Sequence, residues 1–150
     1  MKKFYLAAVM ALVFAACGGS GKQSGEKSEA VPAEIEQLVQ TIKTHMEAEQ
    51  DEKVFVRDVY VDGNDIICVI VVEEALMEGK TMKETLLVEG ISEQDFINIM
   101  KYQMMKKEVR HPDRLEPLRK YHYNVLYRYV GSRSGERIDI LMRYDEFPKI

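Results

Sequence analysis

The stretch Asp65-Ile66-Ile67-Cys68-Val69-Ile70-Val71-Val72 constrains the fold more than any other part of the chain. Its residues from Ile66 onward are all apolar and mostly β-branched, which suits a pleated surface bounded by turn residues. Along a strand, alternate side chains point to opposite faces. Ile66, Cys68, Ile70 and Val72 therefore share one face, and Ile67, Val69 and Val71 the other. A strand apolar on both faces belongs in the middle of a sheet, covered at least partly on each side. The preceding run Lys53-Val54-Phe55-Val56-Arg57-Asp58-Val59-Tyr60-Val61 is also β-rich, and Asp62-Gly63-Asn64-Asp65 separates the two. Gly and Asn accept the positive φ that a tight hairpin requires. With Gly63 and Asn64 central, Val61 faces Ile66, Val59 faces Cys68 and Phe55 faces Val72. Phe55 is then expected on the face of Val59 and Ile70.

A second hairpin follows from the C-terminal region. Tyr121, Tyr123, Val125, Tyr127 and Tyr129 alternate with His122, Asn124, Leu126 and Arg128, and the loop Gly131-Ser132-Arg133-Ser134-Gly135-Glu136 turns the chain. Pairing Val130 with Arg137 sets Tyr129 against Ile138, Tyr127 against Ile140 and Val125 against Met142. On the opposite face Arg128 meets Asp139 and Leu126 meets Leu141. Both faces are chemically matched at this register, and a slip of one residue would oppose apolar to charged positions throughout.

Helices fill the rest. Ile35, Leu38, Val39, Ile42 and Met46 fall on one helical face, which predicts a helix over 33–50. Thr81-Met82-Lys83-Glu84 is a capping box and Gly90 a C-terminal cap, giving a short helix over 82–89. Ser92-Glu93-Gln94-Asp95 opens a longer one over 93–107, with Ile91 and Phe96 placed as a hydrophobic staple. The two prolines in Arg110-His111-Pro112-Asp113-Arg114-Leu115-Glu116-Pro117 read as a connector. The expected fold is α+β: a four-stranded antiparallel sheet of two β-hairpins, helices packed on one face, in the order α-ββ-αα-ββ.

The N-terminus carries an address. Lys2 and Lys3 precede an apolar run over 4–16 that ends at Ala15, Ala16 and Cys17. As a helix its 13 residues would cover only ~20 Å, short of a hydrocarbon core of ~30 Å. The pattern is that of a secretory signal. Phe14-Ala15-Ala16-Cys17 resembles the lipobox of bacterial lipoproteins, although Phe14 stands where that class usually has Leu. The resemblance covers the first 20 or so residues. It implies that Cys17 becomes the new N-terminus and carries a diacylglycerol, with palmitate-type acyl chains holding the protein on a membrane. It also implies export to the bacterial envelope. No acidic cluster follows Cys17, which favours the periplasmic face of the outer membrane. An ordinary cleaved signal, with an incidental cysteine, is the other reading. Residues 1–16 are thus the expected signal peptide, 17–31 the lipidated cysteine and a Gly/Ser/Lys/Glu-rich tether, and 32–150 one domain.

Loss of residues 1–16 removes two lysines and no acid, moving the net charge from −4 to −6. An acidic, exported chain is a poor partner for nucleic acid. With Cys17 acylated, Cys68 has no disulfide partner and reads as a small buried hydrophobe. His45 and Glu49 lie one helical turn apart, but no further metal ligands converge on them. No nucleophile–base pair, P-loop or cofactor motif occurs. A non-enzymatic role is therefore expected, with no metal, cofactor or catalytic residue.

Two surface features stand out. Residues 101–122 hold seven bases against three acids, among them Lys106, Lys107 and Arg110, whereas residues 26–52 hold eight acids and two bases. These regions either attract one another within the fold or leave a basic edge for anionic lipid or an acidic protein. Tyr121, Tyr123, Tyr127 and Tyr129 either cover a sheet face beneath the helices or form an open platform for a partner. The expected function is a membrane-tethered protein-interaction module, engaging a protein partner or a second copy through the second hairpin or the basic edge. The alternative is a small-ligand or lipid-binding lipoprotein with a pocket between helices and sheet.

Overall fold

The apolar run forms an inner strand of a four-stranded sheet. The computed structural model describes residues 31–147. The expected signal peptide, the Cys17 expected to carry lipid and the expected tether up to residue 30 lie outside the described residues. Helix α1 (Ala33–Glu49) leads into strands β1 (Val54–Asp62) and β2 (Asp65–Val72). A 3-10 turn (Glu74–Leu76) and helices α2 (Met82–Val88), α3 (Glu93–Glu108) and α4 (Pro112–Tyr121) follow. Strands β3 (Asn124–Gly131) and β4 (Arg137–Met142) complete the order.

Local chemistry explains most boundaries. Thr81 and Glu84 form the reciprocal capping box, with N···O distances of 3.2 and 3.1 Å. Gly90 takes φ 74°. There the Gly90 N–H donates to the Leu87 carbonyl and the Ile91 N–H to the Leu86 carbonyl, a Schellman ending. The Ser92 hydroxyl accepts from the Asp95 N–H at 3.0 Å and opens α3.

The sheet order is β1-β2-β3-β4. The α+β class, the two hairpins and the helix layer are as expected. So is the whole register of β3 with β4, from Val125–Met142 to Val130–Arg137. Three details differ. The central pair β2–β3 is parallel, with Asp65 beside Asn124 and Val72 beside Gly131, so the sheet is mixed. A hairpin joins neighbours only in antiparallel fashion, but the long helical crossover over 73–123 returns the chain to the end where β2 began. Second, the supposed connector is helix α4. Pro112 sits at its first turn, where a missing N–H costs nothing. Pro117 removes one hydrogen bond, toward Asp113, whose residue is exposed to water. Strand β3 consequently starts at Asn124, later than the tyrosine alternation suggests.

Third, β1 carries a bulge. Val56 pairs with Ile70 and Asp58 with Val69, which leaves Arg57 as the additional residue. The Asp58 carboxylate accepts from the Val59 N–H, and the Gln50 side chain from the Val56 N–H, on either side of it. Phe55 therefore pairs with Val71 and lies on the face opposite Ile70, contrary to the expected register.

All the helices of the described residues supply one core with a single face of the sheet. Ile35, Ile42, Phe96, Met100, Met104, Leu115 and Leu118 meet Cys68, Ile70, Tyr127, Tyr129, Ile138 and Ile140. The ring of Phe96 packs edge-on to Tyr129, centroids 5.9 Å apart.

Candidate functional site

The strand tyrosines belong to this core. Tyr123, Tyr127 and Tyr129 are 4%, 2% and 0% exposed. They cover the sheet beneath the helices and offer no platform to a partner. Tyr121 ends α4, half-buried, and its hydroxyl donates to Glu34 at 3.0 Å. Together with the helix side chains they pack the core between helices and sheet. Cavities lined by described residues include two at helix–helix seams. One of about 260 Å³ opens between α1 and α4, lined by Glu34, Gln37, Leu38, Thr41, Asp113, Arg114 and Pro117. Another of about 150 Å³ lies between α2 and α3. Both are below the ~300–1,000 Å³ usual for small-molecule sites.

The opposite face of the sheet is different. Its side chains form cross-strand rows fixed by the register. Phe55, Val71 and Val130 make one apolar row, ending at Arg137. Tyr60, Ile67, Leu126 and Leu141 make another. Between them runs Asp58, Val69, Arg128 and Asp139. Arg128 and Asp139 form an ion pair at 3.1 Å, with Arg137 on the second carboxylate oxygen at 3.3 Å. Ile67, Val69 and Val71 are buried yet stand outside the core cluster, and Tyr60 and Leu141 are each 38% exposed. No helix of the described residues belongs to this face. Sequence reasoning placed the β2 residues here but missed Phe55, because the bulge that moves it has no local signature.

Lys106 and Arg110 are exposed, and Lys107 is half-buried. From the same basic region, Lys120 reaches the acidic α1 and pairs with Glu34 at 2.7 Å.

Two carboxylates are buried among the described residues, in different places. Glu74, 2% exposed, ties the 3-10 turn to the β3–β4 loop. Its Oε1 accepts from the N–H groups of Arg133 and Ser134 at 2.9 and 2.7 Å. Its Oε2 accepts from the Met82 N–H at 2.6 Å and the Ser134 hydroxyl at 2.8 Å. Burial pushes its carboxyl up, but the bonds from Ser134, Met82 and Arg133 outweigh that and hold it below the ordinary range. Gly131 is required beside it, since a Cβ there would stand 2.5 Å from Glu74 Oε2. Glu73-Glu74 reads as too generic a pair in sequence; the glycine and serines of the facing loop were the available sign.

Glu108, 1% exposed, closes α3. Arg114 Nη1 stands 3.9 Å from its Oε1, and neither carboxylate oxygen has a hydrogen bond. Burial pushes its carboxyl up to about 7, against the pull of Arg114. Cys68 is fully buried and burial drives its thiol upward, so it is a packing residue rather than a nucleophile. His122 takes left-handed φ 58° after α4 and stacks on Tyr144, with ring centroids 4.6 Å apart. Among the described residues no group of three or more His, Cys, Asp or Glu side chains converges as for a metal ion, and no helix is long and apolar enough to cross a membrane.

Protein-family profiles and curated proteins give no match to this chain. Among solved structures, it is similar to a protein of Pseudomonas aeruginosa described as secreted. The TM-score is 0.48 at 9% identity, over 79% of this chain and 99% of that one. It is also similar to the type II secretion system pilotin AspS of Vibrio cholerae. There the TM-score is 0.36 at 8% identity, over 75% of this chain and 94% of the other. Likeness at this level assigns no role.

Proposed function

We propose that this chain is an exported, lipid-anchored, non-enzymatic interaction module that binds a protein partner on the outer face of its sheet. The observation that carries the docking reading is the pair of apolar rows, Phe55-Val71-Val130 and Tyr60-Ile67-Leu126-Leu141, on the face away from the helix core. The Arg128–Asp139 ion pair runs between these rows, so the face joins two apolar strips to one fixed charged pair, a mixture that suits a polar-containing protein interface. Strand β4 is also a sheet edge among the described residues, so the second hairpin offers unpaired backbone beside that face. The anchor rests on Phe14-Ala15-Ala16-Cys17 after an apolar run, and with it the placement on the periplasmic face of the outer membrane. Palmitate-type chains on Cys17 would hold the domain at that surface.

The test is native mass spectrometry of the acylated protein, extracted gently from its own membrane. The expected result is an added mass of protein size that disappears in Leu126→Arg and survives in Leu87→Arg, a change at an exposed helix position. A mass equal to the chain itself identifies a homodimer through the same face. An added mass of a few hundred daltons beyond the Cys17 lipid overturns the docking reading in favour of ligand binding. Retention of Cys17→Ala on the membrane through a high-salt wash, which releases purely electrostatic contacts, overturns the anchor.

A further inference from the structure

We infer that the exposed side of α3 near its C-terminus rests on an anionic lipid surface and orients the domain beneath its anchor. Tyr102, Lys106 and the C-cap Val109, whose backbone is still helical, follow at i, i+4 and i+7 on one face, and Arg110 comes next in the turn that leaves it. That face is opposite Met100 and Met104, which are buried in the core. Tyr102 is 65% and Val109 47% exposed. Beside them Lys106 and Arg110 reach into water, and no ion pair among the described residues engages Lys106, Lys107 or Arg110. The other exposed apolar helix pair, Leu87 and Val88, has Glu84 and Glu89 around it and lacks such a basic cluster.

An aromatic ring, an aliphatic side chain and unneutralised bases at one helix end suit a headgroup boundary. The ring and the valine enter the apolar edge, while lysine and arginine stems lie along it with their charges at the phosphates. Lipid is favoured over an acidic protein by size. Four residues at one helix end fall well short of the ~20–30 per side of a standard protein interface. An anchored domain also meets its own bilayer at high effective concentration.

The geometry allows both contacts at once. Glu34 of α1 meets Lys120 and Tyr121 at one end of α4, and His45 acts on His111 at the other end. From the start of α1 to the α3–α4 corner is therefore about eleven helical residues, or ~17 Å. A Gly/Ser-rich stretch the length of residues 18–31 reaches roughly 20 Å. Contact through α3 would leave the outer sheet face pointing away from the bilayer, toward a partner. This inference rests on the anchored reading, and the experiment separates the two.

The acylated Val109→Cys protein, carrying an environment-sensitive fluorophore at that position, is placed in vesicles of phosphatidylcholine alone or mixed with phosphatidylglycerol. Flotation reports the anchor; quenching of the fluorophore by brominated lipid reports the face. The expected result is a blue shift and severalfold quenching only with phosphatidylglycerol. High salt should reverse it, as should combined Lys106→Glu, Lys107→Glu and Arg110→Glu, and Arg57→Glu should leave it unchanged. No quenching, equal quenching in both vesicles, or indifference to salt overturns the inference. Protection of the label in native membranes but not in protein-free vesicles also overturns it, and assigns the face to a protein. Should Cys17 prove unacylated, the labelled chain added to the same vesicles tests the face alone, by co-flotation and quenching with the same expected and overturning results.

Discussion

Glu74 and Glu108 are both buried and chemically identical, yet their surroundings move their carboxyls in opposite directions. Glu74 accepts four hydrogen bonds, three of them from backbone N–H groups of α2 and the β3–β4 loop. Glu108 accepts none and faces a guanidinium at 3.9 Å. Burial raises both carboxyls; oriented donors at short range reverse that for one, and a more distant charge fails to do so for the other. Short, directed bonds rather than nearby charge decide whether a buried carboxylate stabilises this fold.

The strongest way to break this comparison is Glu74→Leu. It strips the acceptor from the buried Met82 N–H and from the part-buried donors of Arg133 and Ser134, and a buried donor left without one costs about 1–3 kcal/mol. With partial rescue of the loop by water, a loss of ~4 kcal/mol in urea unfolding is expected. A loss below ~1 kcal/mol would show that the bonds contribute little. Titration sharpens the contrast. The folded carboxyl of Glu108, at about 7, lies above the ~4.3 of an unfolded glutamate, so the native state holds the proton more tightly between those values. Its contribution is most favourable below the lower value and is lost as pH rises through the upper one. Glu74 has the opposite sign: its stabilisation is present above the unfolded value and is lost as pH falls through its lowered folded one. Thermal unfolding should show this Glu108-dependent loss, on the order of 2–3 kcal/mol, between pH about 5 and 8. Glu108→Gln should flatten that limb and leave the acid limb intact.

Smaller changes test the geometry. Gly131→Ala forces a methyl against Glu74 and should cost ~2 kcal/mol by denaturation, as overpacking typically does. Adding Glu74→Ala should remove part of that penalty, since the two Glu74 contacts go while Ser134 Oγ still stands 2.6 Å from the added methyl. Thr81→Ala takes the acceptor from the Glu84 N–H at an exposed helix start, where water can replace it. A loss near ~1 kcal/mol is expected, measured in the same way. If it matched the Glu74→Leu loss, burial would not be what separates the two acceptors.

Much of the fold is legible in particular residues. The Val130–Arg137 register follows from alternation on two faces, because a one-residue slip exchanges every side chain's environment. The helix starts at Thr81 and Ser92 follow from hydroxyls that can reach an N–H three residues on. The parallel β2–β3 pair is not legible, since nothing local records which way two remote strands run. Helix α4 was hidden by Pro112 and Pro117, whose cost depends on where in the helix they fall. Of the candidate surface, Lys106, Lys107 and Arg110 were readable as charge, whereas Phe55 joined the outer face only through the bulge at Arg57.

The sequence by itself determined the strand and most helix propensities, the hairpin turns, the central place of the 66–72 run and the resemblance to a lipoprotein address. Each of these depends on residues within a few positions of one another. Tertiary structure alone decided the strand order, the burial of Tyr123, Tyr127 and Tyr129, and the opposite shifts of Glu74 and Glu108. Those depend on which distant groups come within hydrogen-bond or van der Waals range, and only the closed chain fixes such distances.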